Sequence, residues 1–397
     1  MITTYEALLE QVKAYQPGKY NATRNYTNGA VTAWSPYISR GILSPVIVME
    51  QLRSKYTKQE WIGFMQQMAW REYFQRVWQA KGDQIVQDLK SAQSNKLLQG
   101  LPRPIYAGNT GIIALDESIH HLYEHGYMHN HVRMYVAMLH SNIFKAAWLT
   151  GAKWMYAHLL DHDPAANFLS WQWVAGTFSS KQYIANQENI NKYTGTNQRN
   201  TFLDTTYENV TTAIFNSTGQ IQSNRTEVWS TSIEQHFEID TTTILQNIKK
   251  VHQASMFDEH KMESTQSFCI YNSFNLDPLW HDSEATNRIL LLEPAHFNAF
   301  PVTENVLHFV IDLAKKNIPH LQIFIGHFDE LMQLIQSSRS HVTIDNSTYK
   351  TQVYFKEHPT TRHYHGIQEQ RDWLFPEVTG YFPSFFGYWK KCEKYLK

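Results

Sequence analysis

Cysteine is almost missing from this chain, with only Cys269 and Cys392 among 397 residues. Two thiols cannot build a disulfide framework or a Cys-rich metal site, so a reducing, cytoplasmic setting without a metal is expected. No run of about 18 uninterrupted apolar residues occurs, and Met1-Ile2-Thr3-Thr4-Tyr5-Glu6 has no basic stretch leading into an apolar one. The expectation is a chain that is neither exported nor membrane-bound. A phosphate-loop glycine pattern is absent, and so is any internal repeat, which argues against the commonest nucleotide-hydrolase motif and against solenoids. Strong net charge is lacking too, at −1 overall. That balance hides an asymmetry: residues 1–200 carry 19 basic against 13 acidic residues, the remainder 16 against 23. A modestly basic first half is compatible with a polyanionic partner and, equally, with ordinary surface variation.

Tryptophan is plentiful. Eight of the twelve stand in the first half, at positions 34, 61, 70, 78, 148, 154, 171 and 173. The length favours two domains. From Tyr5 to about residue 180, apolar residues recur at intervals of three and four, as in Trp61, Phe64, Met65, Met68 and Ala69, or Val132, Tyr135, Val136, Leu139 and Ile143. That spacing predicts amphipathic helices, separated by turns at Gln16-Pro17-Gly18, Ser35-Pro36, Gly108-Asn109-Thr110-Gly111 and Asp161-His162-Asp163-Pro164. Residues 186–264 are polar and rich in Asn, Gln and Thr, which predicts a connector, helical near Thr241 to His252. Beyond residue 266, Phe268 to Tyr271, Ile289 to Leu292 and Leu321 to Ile325 read as buried strands, and His341 to Ile344 as a further one. Helices are predicted at Thr303 to Lys316 and Asp329 to Ser337. Strands alternating with helices predict a parallel sheet in an α/β domain.

Three polar clusters stand out in the helical part. Asp161, His162, Asp163, Asn167, Trp171 and Trp173 crowd together at the end of one helix; His129-Asn130-His131-Val132-Arg133-Met134 opens another; Trp70-Arg71-Glu72 interrupts an apolar stripe. Burying carboxylates is costly without partners, and Arg133 is the natural one for Asp161. Each cluster alone could be a structural network. Together they point to a polar ligand in an aromatic pocket.

These clusters resemble the signatures of the photolyase/cryptochrome family. Tyr127 to Met134 is similar to its Trp-Met-His-Asn-Arg-x-Arg-Met run, and Asp161 to Trp173 to its Asp-Gly-Asp-x-Ala-x-Asn-x-x-x-Trp-Gln-Trp run. Trp70 to Phe74 resembles its Trp-Arg-Glu-Phe-Tyr helix, and Val31 to Gly41 its Thr-Ser-x-Leu-Ser-Pro-Tyr-Leu loop. The resemblance implies an all-helical FAD-binding domain over residues 1–200, a polar connector over 201–264, and a Rossmann-like α/β antenna-type domain with a parallel sheet over 265–397. Val378 to Lys391 resembles the closing segment of that α/β domain. In family members it precedes the flavin domain, so this chain reads as a circular permutant.

Carried over by position, the resemblance assigns FAD to Tyr20, Thr32, Ala33, Trp34, Ser35, Trp70, Asn130, Arg133, Asp161, Asp163, Ala166 and Asn167. Thr32 and Ser35 would hold the diphosphate, and Asn167 would face flavin N5. Trp171 is implied as the proximal electron donor and Trp148 as the next. Arg24, Glu72, Asn130, His131, Met134 and Trp173 would meet UV-damaged DNA, with Glu72, Asn167, Trp171 and Trp148 carrying the light-driven splitting of cyclobutane pyrimidine dimers. A cryptochrome-like blue-light sensor without repair activity is the alternative, and a flavin-scaffolded binding module a third. A second, antenna chromophore is open, as is the oligomeric state. The chain departs from the family at His131, where an Arg is usual, at Ala33, and in Ser91 to Tyr106, where no third relay Trp stands; Tyr106 or another aromatic would have to end the relay.

Overall fold

The computed structural model describes residues 2–94, 96–212, 214–215, 221–222, 234–263, 265, 267–339 and 351–396. The strand expected at His341 to Ile344 lies outside them.

Helices fill the first half: α1 (Tyr5–Ala14), α2 (Ser35–Ser39), α3 (Pro45–Lys55), α4 (Lys58–Lys81), α5 (Ile113–His125), α6 (Asn130–Met138), α7 (Trp148–His158), α8 (Pro164–Ala175) and α9 (Gln187–Thr194). Their ends follow local chemistry. α4 opens on a capping box, with Glu60 reaching back to the Thr57 N–H at 2.8 Å. α8 is capped by the Asp163 side chain and has Pro164 at its first position, where a missing N–H costs nothing. It stops at Gly176, whose φ of 81° is the left-handed conformation that suits glycine. Between α6 and α7, Leu139–Ile143 form a π-helical turn, a widening of the helix that changes which way its side chains point.

After α10 (Thr241–Val251), the chain builds a sheet from β1 (Ser267–Tyr271), β2 (Asn287–Leu292), β3 (Gln322–Ile325), β4 (Gln352–Lys356) and β5 (Ile367–Glu369). The strand order is β3-β2-β1-β4-β5 and every pairing is parallel. α11 (Pro294–Ala299) and α12 (Glu304–Asn317) follow β2, α13 (Phe328–Arg339) follows β3, and α14 (Phe385–Cys392) leads into a closing 3-10 turn at Glu393–Tyr395. β4 and β5 are absent from the sequence reading. β4 places a lysine and a glutamine around three apolar residues, and β5 is a three-residue edge strand, largely exposed.

Period-two alternation divides the sheet. Phe268, Ile270, Ile289 and Leu291 pack with α13, whereas Cys269, Tyr271, Leu290 and Leu292 join the core of the helical half. One continuous apolar core therefore runs from α1 through α8 to the sheet and on to α14. Among the described residues, no helix is long and apolar enough to cross a membrane.

The strand order reverses between β1 and β4, and in open α/β sheets the crevice beyond the strand ends opens there. Here that crevice is filled from the helical half. The fully buried Arg40, just past α2, donates to Ser273 O at 2.7 Å, to Asp161 O at 2.7 Å and to His162 Nε2 at 2.5 Å. Leu276 N–H returns a bond to Arg40 O at 2.7 Å. A residual cavity of about 70 Å³ remains between Arg71, Gln75, Phe274 and His358.

Candidate functional site

The start of α8 gathers the charges. Asp163 accepts from Ala166 N–H at 3.1 Å, from Gln75 Nε2 at 2.7 Å, and pairs with the Arg71 guanidinium at 3.2 Å. Arg71 and Gln75 stand one turn apart on α4, so Asp163 binds α8 to α4 while capping α8. Asp161, two residues earlier, pairs with Arg133 of α6 at 3.0 Å. Arg133 is aimed at it by a bond from its Nε to Met128 O at 2.8 Å. The expected Arg133–Asp161 pair is thus formed, with only 21% and 10% of the two side chains exposed. Asn167, one turn into α8, is buried, and its amide donates to Ala152 O on α7 at 2.9 Å.

Trp171 follows one turn later, 2% exposed. Its ring fills the space over Gly151 of α7: a Cβ there would come within 2.5 Å of the indole, so only glycine admits the ring. The π-turn swings His140 edge-on to Trp171, centroids 5.3 Å apart. Burial drives His140 down to about 3, so it is neutral near pH 7. Trp148 lies on the same face of α7 one turn before Gly151, 3% exposed, and its indole N–H donates to Asp88 Oδ1 at 2.6 Å.

Other expected residues lie apart from this group or are engaged in the fold. Glu72 is buried on the side of α4 that meets the C-terminal segment. It accepts from the Leu374 and Phe375 N–H groups and, at 2.6 Å, from Tyr388 OH on α14. These bonded partners all come from residues 374–388, and neither Met134 nor Trp173 is among them. Burial pushes the Glu72 carboxyl up, against the pull of those three donors. His131 is not on an exposed loop: it is 9% exposed, wedged between Tyr135 and Tyr193 at 4.9 and 4.8 Å. Burial, then the neighbouring His129, lowers it to about 4. Asn130 and Trp173 are exposed, while Arg24 and Met134 are half-buried.

Around α2, Ser35 begins the helix, and Thr32 Oγ1 accepts from Trp34 N–H at 3.4 Å. Ala33 takes a φ of 52°, a left-handed conformation costly for a residue with a Cβ. The Trp34 indole packs into the core against Tyr15 and Phe64, and Tyr20 covers Phe64 at 4.9 Å. Trp70 stacks on Phe385 of α14 at 3.8 Å, and Ala166 is half-buried in the first turn of α8. Tyr106 lies beside Tyr123, whose hydroxyl donates to Tyr106 O at 2.6 Å.

The sequence reading omitted Arg40, Gln75, His140 and Asp88. Arg40 closes the Ser35 to Gly41 motif, a polar residue after a buried run; the others carry no spacing signal. Among the described residues no cluster suits a metal ion.

The geometry meets an independent comparison. Residues 64–206 match the family model described as the FAD binding domain of DNA photolyase. The deoxyribodipyrimidine photo-lyase of Agrobacterium fabrum is 31% identical over 154 residues, covering 37% of this chain and 32% of that protein. The chloroplastic/mitochondrial cryptochrome DASH of Solanum lycopersicum is 30% identical over 174 residues, 40% of this chain and 29% of that protein. The chain thus matches about a third of the length of these relatives. Among solved structures, a Synechocystis cryptochrome aligns over 48% of this chain and 43% of its own, with a TM-score of 0.44 and 22% identity. A class III photolyase from Agrobacterium tumefaciens aligns over 48% and 42%, with a TM-score of 0.43 and 25% identity. Over residues 64–206 the chain is therefore similar to the FAD binding domain of DNA photolyase, and the relatives it matches are photo-lyases and DASH cryptochromes.

Proposed function

We propose that this chain binds FAD in its helical half and uses blue light to repair cyclobutane pyrimidine dimers in UV-damaged DNA. The observation that carries the flavin reading is the formed Arg133–Asp161 pair, with buried Asn167 and Trp171 on the helix that follows Asp161, all within the segment that matches the FAD binding domain. The donor set fits such a group: a cation paired with a carboxylate, a neutral buried amide, and the buried Nε2 atoms of His129 and His140, which have no hydrogen-bond partner among the described residues. Bound FAD supplies a light-absorbing centre that exchanges single electrons.

The protein's part is positioning and electrostatics. Arg133 offers positive charge, held in place by Asp161 and Met128 O, and the buried amide of Asn167 brings no charge of its own. Trp171 and Trp148 are oxidisable rings shielded from water, and neutral His140 sets no positive charge against removing an electron from Trp171. DNA enters this reading through the relatives that are named photo-lyases. A dimer is poorly stacked, so flipping it out costs less than flipping a normal pair; Arg24, Asn130, Met134 and Trp173 remain accessible for that contact.

The cryptochrome-like sensor is favoured by two observations: Glu72 is committed to Leu374, Phe375 and Tyr388, and His131 is buried. A second chromophore has a candidate place in the α/β part, a cavity of about 450 Å³ beyond β2 and β3 walled by Trp78, His296, Phe300, Phe328 and Arg362. That volume suits a planar aromatic ligand. The order of helical and α/β parts is proposed as a circular permutation.

The deciding experiment is blue-light-dependent loss of dimers from irradiated oligonucleotides by purified, photoreduced protein. Loss of dimers is expected. Normal flavin photoreduction with no loss would hand the chain to the sensor reading, and protein that neither carries nor takes up FAD would overturn both.

A further inference from the structure

We propose that Asp88 is the proton acceptor for oxidised Trp148, so that the electron relay ends at Trp148 without a third tryptophan. The proposal rests on the flavin reading above and adds a residue to it.

The bond between the two is short, 2.6 Å from Trp148 Nε1 to Asp88 Oδ1, and the partners are 60 residues apart in sequence. It is also built. Asp88 Oδ2 accepts from Gln93 N–H at 2.9 Å, and the Gln93 side chain takes the Trp148 N–H at 2.9 Å and donates to Ala146 O at 2.8 Å. Both oxygens of Asp88 and both ends of Trp148 are thereby set in one frame. The segment carrying Asp88 is pinned from the other side by Gln172, the neighbour of Trp171: its amide donates to Ile85 O at 2.7 Å and accepts from Leu89 N–H at 3.1 Å. Gln172, one residue after Trp171, therefore holds the segment that presents Asp88 to Trp148.

The environments of the two partners differ in the way a proton exit requires. Trp148 is 3% exposed, so a positive charge created on its ring has no water to stabilise it. Asp88 is exposed, so a proton placed on it can leave to solvent. An indole that has lost an electron is a far stronger acid than the neutral ring. In the proposed step, Trp171 oxidised by photoexcited flavin takes one electron from Trp148 and is restored. The N–H bond of Trp148 then breaks, its proton forms an O–H bond on Asp88 Oδ1, and Trp148 remains as a neutral radical. With no positive charge left on the ring, the electron has less drive to return. Tyr106 is not needed to finish the relay; its bonded partner is Tyr123, a residue joined to Trp154 rather than to Trp148.

The test compares wild type, Asp88→Asn, Asp88→Glu and Trp148→Phe, each loaded with flavin. In the dark, nitrogen-15 labelling should show two far-downfield indole N–H resonances, from Trp148 on Asp88 and from Trp280 on Glu369, each at 2.6 Å; the one absent in Trp148→Phe should shift upfield in Asp88→Asn while the other stays in place. After a flash, transient absorption should show the neutral indole radical in wild type. In Asp88→Asn the protonated radical cation should persist, with proton loss slowed on the order of 100-fold and restored by Asp88→Glu. Formation of the neutral radical at the wild-type rate in Asp88→Asn overturns the proposal, as does photoreduction that Trp148→Phe leaves unchanged. Wild-type protein that neither carries nor takes up flavin removes the flavin reading itself, and bound flavin without photoreduction overturns the proposal alone.

Discussion

Tyr388 donates its hydroxyl to Glu72 at 2.6 Å across 316 positions of sequence, tying the last helix of the chain to its longest. Two backbone amides, of Leu374 and Phe375, complete the grip. The carboxylate is thereby a structural anchor for the segment that returns from the sheet to α4.

Glu72→Ala should leave two buried amides and a buried hydroxyl without an acceptor. Each orphaned group costs about 1–3 kcal/mol, so a loss of roughly 3–9 kcal/mol is expected. Urea unfolding checks it. Tyr388→Phe, which removes one donor and leaves the amides bonded, should cost only about 1 kcal/mol. A Glu72→Ala protein as stable as wild type would return this residue to the substrate side.

Removing one member of the Arg133–Asp161 pair leaves the other largely buried and uncompensated. Arg133→Ala should destabilise by about 3–5 kcal/mol and reduce flavin retention on gel filtration. Arg133→Lys, which keeps the charge but cannot reach Met128 O and Asp161 with the same fork, should fall between the two.

Gly151→Ala puts a methyl within 2.5 Å of the Trp171 ring and near His140 Cδ2. Neither ring can give way cheaply, so a loss of about 1–3 kcal/mol is expected, with slower photoreduction because the ring is displaced. Trp171→Phe should abolish most photoreduction while FAD stays bound, since a phenyl ring is much harder to oxidise. Flash photoreduction and the flavin-to-protein ratio separate the two effects.

Acid should unfold this protein early. Burial holds His140 down to about 3 and His158 to about 4, while burial and neighbouring cations hold His129 and His296 to about 4. The unfolded chain takes up protons near pH 6.5, which the folded one refuses. The stability these residues contribute is therefore complete above pH 6.5 and falls as pH drops towards 4. Between pH 7 and pH 5, each fully depressed histidine removes about 2 kcal/mol. Unfolding midpoints at the two pH values measure the fall, and His140→Phe should make it shallower.

Much of this was legible locally. Intervals of three and four announced the helices, Asp161 to Pro164 announced a turn between two of them, and the alternation of apolar runs with helices announced the parallel sheet, because backbone periodicity and turn chemistry depend on neighbours a few residues away. The Arg133–Asp161 pair was also within reach, since two buried charges of opposite sign near two helix ends have few other solutions. Only the tertiary structure decided where the remaining polar groups went. Glu72 looked available for a ligand because its donors arrive from residues 374–388, and no spacing rule connects them. His131 looked exposed until Tyr193 closed over it. Asp88 showed nothing until α7 brought Trp148 to it, because a hydrogen bond between residues 60 apart is specified by packing, which sets position to tenths of an ångström, rather than by local pattern, which sets only the face on which a side chain lies.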